Sequence, residues 1–278
     1  MRTFYFFFFF FFMGSLCFYT AGSLFAQSDR KQKSSAVLKN LPENYSKSNT
    51  WVFVLAGQSN MAGRAKVSPL DTISSPRILT INKDGNLIKA REPLHDFEES
   101  MKGLDCGVSF ANEILAHAND SVNIILIPVA VGGSSINKWI GDSIHRNIKL
   151  LSNFRDKLQM GANYGTVKAI LWHQGESDAT AQGSKDYHLK LKNIIASFRS
   201  IADNQQITVI TGHIGEFTDN KYIKNINKAI DAVDSEDENV YTIPTDDFTN
   251  IGDNLHFDAP SQRKMGIRMA QKYLETLK

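Results

Sequence analysis

The stretch W-V-F-V-L-A-G-Q-S-N-M-A-G, Trp51 to Gly63, decides how this chain is read. Residues 51–56 are an apolar run rich in β-formers, the pattern of a buried strand. Gly57 ends the run and Gly63 closes the segment that follows. Between them stands Ser59, flanked by Gln58 and Asn60. A serine just past the carboxyl end of a buried strand lies where open α/β sheets bind their ligands. The glycines let the backbone turn sharply and come close to a substrate. Taken alone, such a serine reads as an ordinary helix cap. The rest of the chain supplies it with partners.

Upstream, Arg2 precedes an aromatic run over 4–12 and a small-residue region ending Leu24-Phe25-Ala26. A basic start, an apolar core and Ala26 before Gln27 read as a secretory signal peptide over 1–26. Gly14, Ser15, Thr20, Gly22 and Ser23 interrupt the apolar stretch and argue against a membrane anchor. Leu16 directly before Cys17 fits a lipoprotein site poorly. The expected location is therefore secreted or periplasmic. Residues 27–50, rich in Ser, Lys and Asn, read as a linker into the domain at 51–278.

Downstream, strands and helices alternate. Residues 77–82 read as a strand and Asp84-Gly85 as a hairpin turn. Residues 100–107 read as a loop, after which Phe110, Ile114, Leu115 and Ala118 follow helical spacing. The continuous apolar run over 122–131 reads as a buried parallel strand ending in Gly132-Gly133-Ser134-Ser135. A helix is predicted over 144–160, with Ile148, Leu151, Phe154 and Leu158 on one face. Residues 167–172 form the third core strand and 184–201 the clearest helix, with Ser184 as its cap. A fourth strand over 207–211, a helix over 223–233 and a fifth strand over 240–243 follow. The last helix begins near Pro260 and ends near Leu277. Such alternation predicts an α/β fold, a three-layer α/β/α sandwich around a mostly parallel, flavodoxin-like five-stranded sheet. Right-handed crossovers bring the loops after the strands to one edge.

The 278 residues are 42% hydrophobic and 22% charged, with a formal net charge of +2. That composition suits one globular domain. Its charge is too balanced to point to nucleic acid or to a stable membrane partner. Once the leader is removed, Cys106 is the single thiol left, so no internal disulfide can form. Cys106 has no metal-ligand pattern around it and reads as a small packing residue. The histidines are scattered and no H-E-x-x-H occurs, so no metal is expected. No glycine-rich nucleotide loop of the required spacing occurs, so no cofactor is expected either.

Four blocks in order carry a resemblance. They are G-Q-S-N-M-A-G (57–63), A-V-G-G-S-S-I-N-K-W (130–139), W-H-Q-G-E-S-D (172–178) and D-N-L-H-F (253–257). Together they resemble the SGNH-type hydrolases, in particular their carbohydrate acetylesterase and sialate O-acetylesterase branch. The resemblance covers about 53–270. Where many of these hydrolases carry an oxyanion-hole asparagine, this chain has Gln174, as the carbohydrate-esterase branch does.

A serine hydroxyl needs a base within hydrogen-bond reach to become a useful nucleophile. His256 is the best candidate, and Asp253 stands three residues before it, where a carboxylate can orient the imidazole. D-x-x-H alone is a common accident; the serine block and the resemblance give it weight. The expected triad is Ser59, Asp253 and His256. For the oxyanion, the expected donors are the Ser59 N–H, the N–H of Gly133 (or Gly132) and the Gln174 side-chain amide. Glu176 either replaces Asp253 as the orienting acid or anchors its loop, and the second reading fits the D-x-x-H block better. His173 reads as pocket lining or as a packed histidine. Trp139 and Trp172 read as sugar-stacking or as core. Arg64 reads by default as a surface arginine.

The residues imply serine-dependent acyl transfer. The resemblance implies an acetylated carbohydrate as substrate, of the xylan or sialic acid kind. Two other readings stay open: a lipase or arylesterase on the same scaffold, and a non-catalytic glycan-binding protein.

Overall fold

The computed structural model describes Pro42, residues 45–82 and residues 85–278. The expected leader, most of the expected linker and Asp84 of the expected hairpin turn lie outside the described residues. In chain order the elements are β1 (Thr50–Gly57), α1 (Ser59–Ala62), β2 (Ile78–Ile81), β3 (Leu87–Lys89), α2 (Gly107–His117), β4 (Asn123–Pro128) and α3 (Ile136–Ile140). There follow β5 (Ile144–His145), β6 (Ile148–Lys149), α4 (Leu150–Ala162), β7 (Thr166–His173) and α5 (Tyr187–Ile201). The chain ends with β8 (Thr208–Gly212), α6 (Lys221–Glu236), β9 (Val240–Ile243) and α7 (Ala259–Glu275).

Seven strands form one sheet in the order β3-β2-β4-β1-β7-β8-β9. All pairs are parallel except β2 with β3. Strand β1 sits in the middle, and five of its eight residues, Val52 to Ala56, are fully buried apolar side chains. Alternation along β1 separates the two faces. Phe53 meets Phe110 of α2 and Tyr273 of α7 edge-on, at 4.8 and 5.0 Å between centroids. Val52, one residue earlier, points the other way, against Gly161 of α4. A Cβ on Gly161 would stand 2.9 Å from Val52, so glycine lets the helix lie this close to the sheet. The three layers are those the alternation of elements predicts.

The strand count differs from the expected five. β2 joins the sheet as a sixth strand, and β3 adds an antiparallel edge only three residues long, too short to display a period of two. The helix expected over 144–160 also differs. Residues 144–149 form a two-stranded hairpin, and α4 starts only at Leu150. Arg146 (φ 50°) and Asn147 (φ 64°) both occupy the left-handed region, as a two-residue hairpin turn requires. Asp142 then accepts from the N–H and hydroxyl of Ser152, serving the first turn of α4 from ten residues away. The buried stripe is Leu150, Phe154, Leu158 and Gly161. Ser184 does not cap α5: its hydroxyl donates back to the Thr180 carbonyl, and the helix begins at Tyr187. At the near end of the expected linker, Lys47–Asn49 form a capped 3-10 turn leading into β1.

Trp139 and Trp172 are fully buried and pack edge-on at 5.3 Å, with Phe198 of α5 against both. They are core. The Cys106 thiol is buried against the Met61 sulfur at 3.6 Å. Burial, then the charges of Asp105 and Glu92, push it well above the ordinary thiol value, which leaves it inert. Among the described residues no helix is long and apolar enough to cross a membrane.

Candidate active site

The parallel arrangement brings the ends of β1, β4, β7 and β9 to one edge, and the four sequence blocks follow those ends. At Gly57 (φ 138°) a Cβ would fall 2.0 Å from the His173 carbonyl oxygen, so only glycine fits between the ends of β1 and β7. The chain then turns into α1, with Ser59 as its first residue. The first N–H groups of a helix have no partner within it, and the Ser59 N–H has no acceptor among the described residues.

Ser59 Oγ lies 3.0 Å from His256 Nε2, and His256 Nδ1 lies 2.6 Å from Asp253 Oδ2. A carboxylate only accepts, so Nδ1 carries the proton toward Asp253 and Nε2 is left to accept from the serine hydroxyl. The other Asp253 oxygen accepts from the N–H groups of Leu255 and His256, at 3.0 and 2.9 Å. Partial burial works to raise this carboxyl, but the His256 N–H, its imidazole and the Leu255 N–H outweigh it and hold the group below its ordinary value.

The loop after β9 is fastened to α1 through Asn60. Its Oδ1 accepts from Phe257 N at 2.9 Å, and its Nδ2 donates to the Leu255 carbonyl at 3.1 Å and to Glu176 Oε1 at 2.6 Å. Phe257 is fully buried, with His173, Phe217 and Phe248 around its ring. Full burial of such a ring contributes about 1.5–3 kcal/mol, and here it anchors the residue next to His256.

After β4, Gly132 and Gly133 take different parts. The Gly132 N–H donates to Glu98 Oε2 at 2.7 Å. Gly133 (φ 70°) has no acceptor for its N–H among the described residues and lines the same crevice as Ser59 and His256. Gln174 lies elsewhere than expected. It is fully buried, and its Nε2 donates to Gln58 Oε1 at 2.9 Å and to Asp178 Oδ2 at 2.7 Å, behind the crevice rather than in it. The crevice has a volume of about 250 Å³.

A family model described as carbohydrate esterase, sialic acid-specific acetylesterase matches residues 49–275. The chain belongs to that family. It is a carboxylic ester hydrolase of the carbohydrate esterase class. A probable carbohydrate esterase of Arabidopsis thaliana is 29% identical over 241 residues, covering 80% of this chain and 90% of the relative. The X-ray structure of that Arabidopsis protein superposes with a TM-score of 0.73 at 27% identity, covering 82% of this chain and 98% of its own. The structure of NanS, at 15% identity, covers 84% of this chain and 98% of its own with a TM-score of 0.65, a likeness of fold.

In this esterase Glu176 pairs with Asn60 and not with His256. Its Oε1 also lies 3.6 Å from His173 Nδ1. His173 is fully buried, its Nε2 donating to the His213 carbonyl at 3.1 Å, so it is a packed histidine. Arg64 is no surface residue: its side chain is 8% exposed, and it lines the crevice while donating to Glu98 Oε2 at 2.7 Å. Arg146, at the hairpin tip, reaches the other Glu98 oxygen. Burial would raise the Glu98 carboxyl, but the Gly132 N–H and the two guanidinium groups hold it below its ordinary value. A Cβ on Gly132 would come within 2.1 Å of Arg64 Nη2, so glycine there leaves room for the guanidinium in this arrangement. Asn60, Glu98 and Arg146 are site residues that the sequence does not mark out by role. Asn60 stood within the serine block; Glu98 and Arg146 sit in irregular or turn segments that carry no periodic signal.

Proposed function

We propose that the chain removes O-acetyl groups from carbohydrate through an acyl-enzyme on Ser59. The observation that carries this reading is the unbroken hydrogen-bonded line from Ser59 through His256 to Asp253. Ser59 Oγ attacks the acetyl carbonyl while His256 Nε2 takes its proton. The Ser59 and Gly133 N–H groups receive the developing oxyanion. His256 returns the proton to the departing sugar hydroxyl. Water, activated by the same imidazole, then releases acetate and restores the serine. Asp253 keeps the imidazole in one tautomer and stabilises its charged form. The crevice supports a short acyl group on a polar alcohol: Met101 and Leu255 are the large apolar side chains on its wall, beside Arg64, Arg146, Glu176 and Ser177. A crevice of about 250 Å³ suits an acetyl group better than a long acyl chain, which disfavours a lipase.

Export belongs to the same proposal. The basic, aromatic-rich segment 1–26 directs secretion, and the mature chain begins at Gln27, which N-terminal sequencing of exported protein checks. The catalytic test is acetate release across acetylated xylan, O-acetylated sialic acid and nitrophenyl esters of rising chain length. Wild type should favour acetyl over longer acyl groups, and Ser59→Ala should release no acetate while keeping its melting temperature. Full activity in folded Ser59→Ala protein would sink the reading.

A further inference from the structure

We infer that the side-chain donor of the oxyanion hole is Gln58, held in place by Gln174 and Asp178. The inference rests on the Ser59 reading and names a further residue for that reaction. Gln174, the donor expected from sequence, has its amide committed. Asp178 Oδ2 accepts both from the Ile136 N–H at 2.8 Å and from Gln174 Nε2 at 2.7 Å, which fixes which end of the Gln174 amide is nitrogen. That nitrogen also meets Gln58 Oε1 at 2.9 Å. Gln58 Oε1 accepts a second bond, from the backbone N–H of Ser177 at 3.2 Å. A backbone N–H can only donate, so the end of Gln58 facing the interior is its oxygen. Its Nε2 must take the other branch.

That nitrogen has no protein acceptor among the described residues, yet Gln58 is 2% exposed and lines the crevice beside Ser59 and Gly133. It is not among the side-chain atoms sealed from the surface without a partner, so it reaches the crevice wall. An amide donor that reaches the crevice with no protein acceptor is free to meet a ligand oxygen there. Two hydrogen bonds to its oxygen hold the side chain rigidly, and a preorganised donor acts on the oxyanion without reorganising. The Ser59 N–H follows Gln58 directly in the chain, so both donors belong to one short, rigid segment. Gln174 and Asp178 are positioning residues, acting through Gln58.

The experiment compares wild type, Ser59→Ala, Gln58→Leu and Gln58→Glu on one acetyl ester, with melting temperature measured for each. Gln58→Glu is nearly isosteric and keeps an oxygen for Gln174 and Ser177, so it holds the fold if Gln58→Leu does not. Both Gln58 variants should lose about 10²–10³-fold in kcat with KM within about threefold, because the donor works in the transition state. Gln174→Met should lose less, and Gln58→Glu with Gln174→Met should cost little more than Gln58→Glu alone, since one acts through the other. A folded Gln58→Glu protein with kcat within threefold of wild type overturns the inference. So does a raised KM with kcat spared, which would make Gln58 a sugar-binding residue. An active Ser59→Ala protein would instead strike the underlying triad.

Discussion

Asp253 keeps 39% of its side chain in solvent, unusual for an acid meant to steer a histidine. What holds it is local: two backbone N–H groups on one oxygen leave the other aimed at His256 Nδ1. Glu176 is the reverse, 7% exposed and tied to Asn60. The two carboxylates therefore predict opposite phenotypes. Asp253→Asn should cost on the order of a thousand-fold or more in turnover with little change in melting temperature, because the amide favours the wrong imidazole tautomer. Glu176→Gln should lower the melting temperature and keep kcat within about tenfold. Equal turnover losses in both, measured with thermal melts on the same protein, would make Glu176 the orienting acid. The choice was legible in part: D-x-x-H spacing pointed to Asp253, but which acid touches the imidazole is a matter of distance.

At the scale of elements, the site is a junction between α1 and the loop after β9, and Asn60 is the joint. It serves the Phe257 N–H, the Leu255 carbonyl and Glu176, while its own carbonyl accepts from Gln262 of α7 at 2.8 Å. Asn60→Ala leaves buried polar groups unpaired at about 1–3 kcal/mol each. The expected result is a lower melting temperature, faster proteolysis within 250–256 and a fall in kcat as His256 loses its fixed place. Limited proteolysis with mass spectrometry reads this directly; unchanged cleavage would show that Phe257 packing alone holds the loop. The hairpin of β5 and β6 teaches a related lesson. Apolar residues at 144, 148, 151, 154 and 158 keep a helical rhythm straight through a turn, so periodicity ran the helix too far upstream. The turn was decided by Arg146 and Asn147 in left-handed backbone, and it is what carries Arg146 to Glu98.

Across the whole molecule, ion pairs tie distant segments together and set the response to pH. Arg263 of α7 holds Asp71 through two hydrogen bonds of 2.9 and 2.8 Å across 192 positions. Partial burial would raise the Asp71 carboxyl, but Arg263 and Ser68 bring it from 3.8 to about 2. A carboxyl lowered on folding stabilises the native state above its ordinary value, and that stability is lost as pH falls toward the lowered value. Arg263→Met should therefore be less stable than wild type in urea at pH 6, with the difference shrinking toward pH 2. A constant difference would mean that Arg263 acts by packing alone. Glu92 runs the other way. Burial and then the Asp105 charge raise it well above its ordinary value, so its contribution is full in acid and fades as pH rises.

The sequence by itself determined the alternation of strands and helices, the mostly parallel sheet and the edge at which Ser59, Gly133, Asp253 and His256 gather. These are consequences of hydrophobic period, glycine at strand ends and chain order, all local signals. Only the tertiary structure decided what each buried polar group faces. Gln174 and Gln58 are both glutamines in quoted blocks, and no local pattern says which one turns its nitrogen to the crevice. That choice is made by Asp178, the Ser177 N–H and Tyr187, brought together from different loops and a helix. Arg64 likewise became a crevice residue because Glu98 arrives from 34 positions away. Apolar burial is written in spacing along the chain, whereas the partner of a buried polar atom depends on whatever the fold places within about 3 Å of it.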